Sequence, residues 1–429
     1  MSESYKQDPS GAAGVAESEH GHDHLHMGLV GERTLPLAGA RTFGALFGLV
    51  GVAAAWVLMF IPATREAAMG GYLFGWYFTM TIVLGMLGIL CLHHTVRGSW
   101  ALPWLKLLQA GTSPVVMGVM LVLFLPILLQ PATLYEWVNP GNDHVLLKKA
   151  FYLNQGAWTF RTLLYFALWS WMGWFMRNSV RRQEEGAPNG LKLEMGRSSW
   201  GAVFIVFYVL SITFATTDWS MSLQPHWYST MWGVWQMIGG ALGASGLIVA
   251  TLCINARKAP YNTVVAPSLT KDWGNILFMF TMLWAYTAVS QFLIIWNGNL
   301  PETASYFARR GIMGWNATGM AVILGQFLVP WMTLLSPRIK RYPHLLRNVA
   351  GWIFVVHILD VYQAVVPALP HGGFHGTGFF PGQNFLFELL GFVGVFSAFI
   401  AVFATGIRST KSLLPTYDTR LQEALLHAH

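Results

Sequence analysis

Charge is scarce in this chain. Of its 429 residues only 10% are Asp, Glu, Lys or Arg, against about 25% in a soluble globular domain. Cysteine is nearly absent. Cys91 and Cys253 both fall in apolar stretches and form no CxxC or CxxCH, which excludes a disulfide framework, an iron–sulfur ligand set and covalently attached haem. Apolar–polar alternation is missing too, so strands are not expected. The first apolar run follows about forty polar residues and is not read as a cleaved signal peptide.

The chain is instead 54% hydrophobic. Ten runs approach the ~20 residues that a spanning helix needs. They are Phe43–Ile61, Tyr72–Leu92, Pro114–Leu129, Trp158–Met176, Trp200–Phe214, Tyr228–Ile254, Ile276–Trp296, Ile312–Leu335, Val349–Val366 and Phe385–Ile407. The expected fold is an all-α integral membrane protein of about ten transmembrane helices, as two four-helix bundles plus two extra helices. Residues 1–40 read as a disordered tail, 41–408 as the membrane domain and 409–429 as a C-terminal tail. The 20 tryptophans are expected mostly near helix ends, as an aromatic belt.

Lys and Arg alternate in density from loop to loop. One side of the membrane holds twenty of the 26, including both tails. The other holds only Arg65, Lys148, Lys149, Arg309 and Arg310. By the positive-inside rule both termini face the cytoplasm. The net charge of +7 is mostly this topology signal and does not point to nucleic acid.

Several stretches admit a second reading. His20, His22, His24 and His26 form a tract of a kind that can bind metal, but a solvated tail gives it no fixed geometry. Gly98–Thr112 is too short to span and reads as an interfacial helix with Trp100 and Trp104 at headgroup depth. Pro131–Gln155 reads as a cap on the bundle or a partner contact. Gly44 and Gly48, and Gly239, Gly240, Gly243 and Gly246, read as close helix packing.

One carboxylate lies inside a spanning run. Asp360 sits seven residues before Pro367, about 10 Å below the outer surface by helical rise. An ionised group at helix-centre depth costs at least about 2.5–3.5 kcal/mol, so a partner or water is expected. His357, near the midplane, and Gln363 share its broad face. Arg161, Asp218, His226, Gln291 and Glu388 all fall at the outer side of their segments. Together they are expected to form a polar funnel toward His357, serving as a proton path or a quinol-adjacent site. A buried structural pair of Arg161 with Asp360 or Glu388 is the alternative. Deeper than His357 only neutral polar residues such as Gln236, Ser245 and Gln326 remain. A bis-histidine haem is excluded because nothing opposes His357 at its depth. His371 and His375 have i, i+4 spacing, but the glycines between them oppose the helix that would align them.

Three stretches carry a family resemblance. Thr217–Gly233, TDWSMSLQPHWYSTMWG, is followed in order by Trp273–Thr303 and Pro330–Ala368. They resemble the ActF membrane subunits of bacterial alternative complex III, within the NrfD-like (polysulfide-reductase membrane-subunit) family, over roughly residues 200–400. Gln224 departs from the pattern, where similar sequences often have an acid. The resemblance implies a bacterial inner-membrane subunit of a quinol:cytochrome c oxidoreductase, with no cofactor on this chain and quinol as a possible ligand. It implies Fe–S clusters and c-type haems on partners. Those are a sister NrfD-like membrane subunit, a periplasmic Fe–S subunit and c-type cytochrome subunits, with a terminal oxidase as a further partner and membrane lipids around them. The alternatives are a purely structural scaffold in the same complex and a proton-coupled secondary transporter.

Overall fold

The computed structural model describes residues 35, 37–186, 190–312, 314–369, 384–410, 412–415 and 418. The His20–His26 tract, the His371–His375 loop and most of both tails lie outside the described residues. Within them no strand occurs. Ten long helices do: α1 (Leu37–Phe60), α2 (Arg65–Val96), α3 (Leu105–Leu129), α4 (Gln155–Glu184), α5 (Gly190–Trp219), α6 (Trp232–Ile254), α7 (Pro267–Gly298), α8 (Trp315–Leu334), α9 (Pro343–Val365) and α10 (Phe385–Arg408). Nine are long and apolar enough to cross a membrane. The other, α4, has 30 residues but carries Arg161 and four further arginines or acids toward its ends. The protein is a multi-pass membrane protein of the expected class. Most helices outrun their apolar runs, because backbone hydrogen bonding continues past the hydrocarbon edge into polar turns.

Helix neighbours define two rings. In one, α2, α3, α4 and α5 contact in succession and α5 returns to α2. In the other, α6, α7, α8 and α9 do the same and α9 returns to α6. The α2–α6 contact joins the rings, and α1 and α10 pair on the outside of α2. The most apolar window of α2 is 94% buried, but only 28% of it in α1 and in α10. Hydrophobicity is similar in all three, so α2 is the central pillar and the other two face lipid.

Helices in hydrocarbon gain little from apolar burial against one another, so small residues and side-chain hydrogen bonds hold them. Gly85 of α2 meets the Gly240 backbone of α6. A Cβ on Gly240 would stand 2.5 Å from the Thr81 carbonyl, and one on Gly246 2.8 Å from the Ala350 carbonyl of α9. Gly44, Gly48 and Gly51 of α1 fit the same way against α10.

Two expectations are corrected. Trp76 and Trp169 lie in mid-helix, and Trp158, Trp219 and Trp232, though at helix ends as expected, are buried core and not belt. Each indole bonds inward: Trp76 to the Met120 carbonyl at 2.8 Å, Trp158 to the Asp218 carbonyl at 2.9 Å, Trp169 to Ser211 at 2.8 Å. With its N–H satisfied, the ring supplies contact area that lipid cannot match. The Gly98–Thr112 segment is not laid on a surface either. Leu105–Gly111 is buried throughout, Trp104 packs on Trp273, and the Trp273 indole donates to the Trp100 carbonyl at 2.8 Å. The Pro131–Gln155 stretch does cap the first ring, with Tyr135 donating to the Trp219 carbonyl at 2.9 Å. At the other end Lys106 pairs with Glu184, and Leu413, Leu414 and Asp418 of the C-terminal tail are buried.

The glycine contacts predict a specific asymmetry. Gly240→Ala should cost about 1–3 kcal/mol through overpacking, seen as a lower unfolding temperature in detergent. Gly118→Ala, with open space around it, should leave that temperature unchanged or slightly raised.

Candidate functional site

The second ring encloses the site. On α9, His357 and Asp360 are both buried, and His357 Nδ1 lies 3.4 Å from Asp360 Oδ2. The same oxygen accepts a hydrogen bond from the Trp284 indole of α7 at 3.2 Å. On its far side the imidazole Nε2 lies 3.2 Å from Thr81 Oγ1 of α2. The Asp360–His357 pair therefore bridges the two rings.

Two glycines of α6 make room for it. A Cβ on Gly239 would stand 3.2 Å from Asp360 Oδ2, and one on Gly243 2.8 Å from His357 Cγ. So of the four glycines read as packing residues, Gly240 and Gly246 set helix separation, while Gly239 and Gly243 cradle the site.

Asp360 opens on a cavity of about 500 Å³ between α6, α7, α8 and α9. Its walls are Trp235, Trp284, Val289 and Phe292 on one side, Met320, Ile323 and Phe327 on the other. Tyr306, Phe307 and Arg310, from the short helix Pro301–Arg310, close its end. Val289, Phe292, Met320 and Ile323 are also exposed on the outside of the bundle, so the cavity opens sideways between α7 and α8. Its lining holds two polar atoms with no partner, Trp235 Nε1 and Gln363 Oε1. The α8 wall contains a π-helical turn over Ile323–Leu328, a distortion often found where a helix lines a functional site.

Arg310 is a site residue that sequence reading missed. It is buried, with no carboxylate within 4 Å among the described residues. Its guanidinium donates to the Gln363 carbonyl at 2.8 Å and the Ala364 carbonyl at 2.7 Å, and stacks on Tyr306 at 3.6 Å. Those carbonyls belong to the last turn of α9, whose orphan acceptors and negative dipole end act as the counter-ion. Burial pushes the Arg310 guanidinium down to about 10, with Tyr306 opposing and Arg309 adding to the fall, which leaves it charged at neutral pH. Gln224 reaches Arg310 at 3.5 Å and, with its amide turned, Arg309 at 3.3 Å. An acid at position 224 would face both arginines.

The remaining funnel residues do not converge. Arg161 binds Asp218 in a two-pronged pair, Nε to Oδ2 at 2.9 Å and Nη2 to Oδ1 at 2.8 Å. Tyr165 donates to Asp218 at 2.8 Å, and the Asp218 side chain is 0% exposed. The buried pair of Arg161 is thus with Asp218 in the first ring, not with Asp360 or Glu388. The i−57 separation could not be read from segment order alone. Glu388 accepts from Tyr362 at 2.8 Å, where α10 meets α9. His226 pairs with Asp143 at 2.7 Å on the surface. Gln291 is buried and accepts from Ser229 at 3.1 Å. Gln363 does line the Asp360 cavity, and its amide donates to the Trp315 carbonyl at 3.3 Å.

Of the neutral polar groups, Gln236 accepts from Tyr77 at 3.3 Å, whereas the Ser245 hydroxyl and both amide atoms of Gln326 have no partner among the described residues. Among the described residues no three His, Cys, Asp or Glu side chains come together as a metal centre would require. Signals for the missed residues did exist. Trp284 is a tryptophan in mid-segment, Tyr306 and Arg310 are four apart, and Gly239 and Gly243 have the same spacing.

Asp218 and Asp360, both buried, should respond differently to neutralisation. Asp218→Asn strands the Arg161 charge and should destabilise by about 3–5 kcal/mol, measured by thermal unfolding in detergent. Asp360→Asn retains a hydrogen-bond acceptor for Trp284 and strands no arginine, so its unfolding temperature should stay near the parent's. No protein-family model matches the chain, and no curated protein matches its sequence.

Proposed function

We propose that this chain is an ActF-type integral subunit of a quinol-oxidising complex in the bacterial inner membrane, with both termini cytoplasmic. The observation that carries the reading is the cavity of about 500 Å³ that opens sideways between α7 and α8 and ends on Asp360. Cavities of about 300–1,000 Å³ with apolar walls and a few directed polar groups suit small ligands. A lateral opening in a membrane-spanning bundle admits a lipophilic one, and quinol partitions into the hydrocarbon.

The chemistry then follows from the polar wall. Oxidation of a quinol releases two electrons and two protons. Asp360 is the hydrogen-bond acceptor for a quinol hydroxyl, held in place by the Trp284 indole. His357, 3.4 Å away, takes the proton onward, with Thr81 on its other nitrogen. A base within reach of the proton it abstracts contributes roughly 10²–10⁴-fold to rate. Electrons leave to Fe–S clusters and c-type haems of partner subunits, beside the sister membrane subunit. The resemblance in Thr217–Gly233, Trp273–Thr303 and Pro330–Ala368 supports that setting.

The test is Asp360→Asn in the assembled complex. Turnover with a quinol analogue and proton release should both fall by roughly 10²-fold, with assembly intact on native gels. Unchanged turnover and proton release would overturn the catalytic part. A complex that fails to assemble, with the isolated chain still folded, would favour the scaffold reading instead.

A further inference from the structure

A second cavity, of about 390 Å³, lies where α4 begins and α5 stops, and its Trp227 stacks at 4.5 Å on Tyr306 of the Asp360 cavity. Lys148 and Lys149, the last residues of the short helix His144–Lys149, form its rim. Leu153, Met221 and Trp227 form its floor. Lys149 is fixed over that floor by a bond of 2.5 Å to the Pro225 carbonyl. Lys148 is exposed and has no carboxylate within 4 Å among the described residues. The acid that acts on Lys149 is Asp143, and it is already engaged. It accepts from the Val145 and Leu146 amides at 2.8 and 3.3 Å and pairs with His226 at 2.7 Å. Burial lowers the Lys149 ammonium below its ordinary range, and Asp143 only partly opposes this. Lys148 thus gives the rim a positive charge that no carboxylate within 4 Å matches among the described residues.

The apolar surroundings say what kind of anion fits. Phe151, two residues past the lysines, is 96% exposed. Leu210, Phe214, Thr217 and Met221 follow i, i+4, i+7, i+11 spacing and so share one face of α5 and the turn after it. Thr217 and Met221 line the cavity, and Leu210 and Phe214 are exposed on the outside of the bundle below it. An apolar strip therefore runs from under the two ammoniums down a membrane-spanning helix. A soluble anion or an acidic peptide would leave that strip unused, whereas an acyl chain would cover it.

We propose that this pocket is a binding site for an anionic phospholipid, its phosphate between Lys148 and Lys149 and one acyl chain along Met221, Phe214 and Leu210. The site is independent of the Asp360 cavity and of any role in quinol chemistry. A lysine near an anionic headgroup gives roughly fivefold in affinity.

The experiment is native mass spectrometry of the full chain released from nanodiscs. The probes are phosphatidylglycerol and cardiolipin, against phosphatidylcholine of matched chains. The parent should retain the anionic lipids preferentially. Lys148→Glu, at an exposed side chain with no hydrogen bond or ion pair among the described residues, should weaken that preference at least roughly fivefold. Lys148→Gln with Lys149→Gln should weaken it further and leave phosphatidylcholine unaffected. Phe214→Ser should weaken long-chain but not dihexanoyl phosphatidylglycerol. An unchanged preference in Lys148→Glu overturns the proposal. So does displacement of the lipid by inorganic phosphate at equal concentration, which would mark a free-anion site. Loss of partner subunits with lipid binding unchanged overturns it as well, in favour of a protein-docking surface.

Discussion

The close approach of α6 to α2 and α9 is the constraint on which the rest of the structure depends. It is made by glycines on two faces of one helix. Gly240 and Gly246 bring α6 onto the Thr81 and Ala350 carbonyls, and the distance they set leaves space at Gly239 and Gly243 for two polar side chains of α9. Bulk at Gly240 would push α2 away from α6, and bulk at Gly239, Gly243 or Gly246 would push α9 outward. His357 would then lose Thr81, and Asp360 would lose Trp284. Joining the two rings and positioning the polar pair are therefore one event. This is economical in hydrocarbon, where apolar side chains give helices little reason to stay together.

Within that frame, two buried aspartates are treated in opposite ways. Asp218 has its charge matched by a two-pronged arginine and further bonds from Tyr165. Removing either partner leaves an uncompensated ion, so the pair is rigid and structural. Among the described residues Asp360 has no arginine or lysine within 4 Å, only an indole donor and a histidine. Neutralising a carboxylate so held strands no fixed charge. Depth alone does not separate these roles. The partner does, and the partner comes from another helix.

That is also why the sequence was legible in some places and not in others. The ten helical segments and their order follow from runs of apolar residues, which depend on local composition, whereas their grouping into two rings rests on contacts between helices. Asp360 and His357 stood out because a charge in a long apolar run is locally visible. The partner of Arg161 was not visible, because Asp218, Glu388 and Asp360 all lie in the outer half of different helices and one-dimensional spacing cannot choose among them. Tryptophans were placed at the rim by composition, yet Trp76 and Trp219 lie in the core because each finds an inward acceptor. The π-turn in α8 has no residue signature in Ile323–Leu328 that differs from an ordinary apolar helix. Gly98–Thr112 was read by length alone, and length does not tell a surface helix from one tucked into the bundle.

Arg310 shows how a loop residue can govern a membrane site. Counting it as one more outer cation explains the topology but not its burial. A buried guanidinium needs acceptors, and here they are backbone carbonyls of the last turn of α9. Such carbonyls would otherwise be unsatisfied at a helix end. The bond therefore serves both partners: the arginine gains the negative end of a helix dipole, and the helix gains a terminus that cannot fray. Asp360 lies one turn before the residues that Arg310 holds, on the same cavity wall. Fixing the end of α9 limits how far that turn can rotate, and so limits where the carboxylate can point. The short helix Pro301–Arg310 thus acts as a clamp on the site from outside the spanning segments, and the cavity has its rigid end at Arg310 and its open side between α7 and α8.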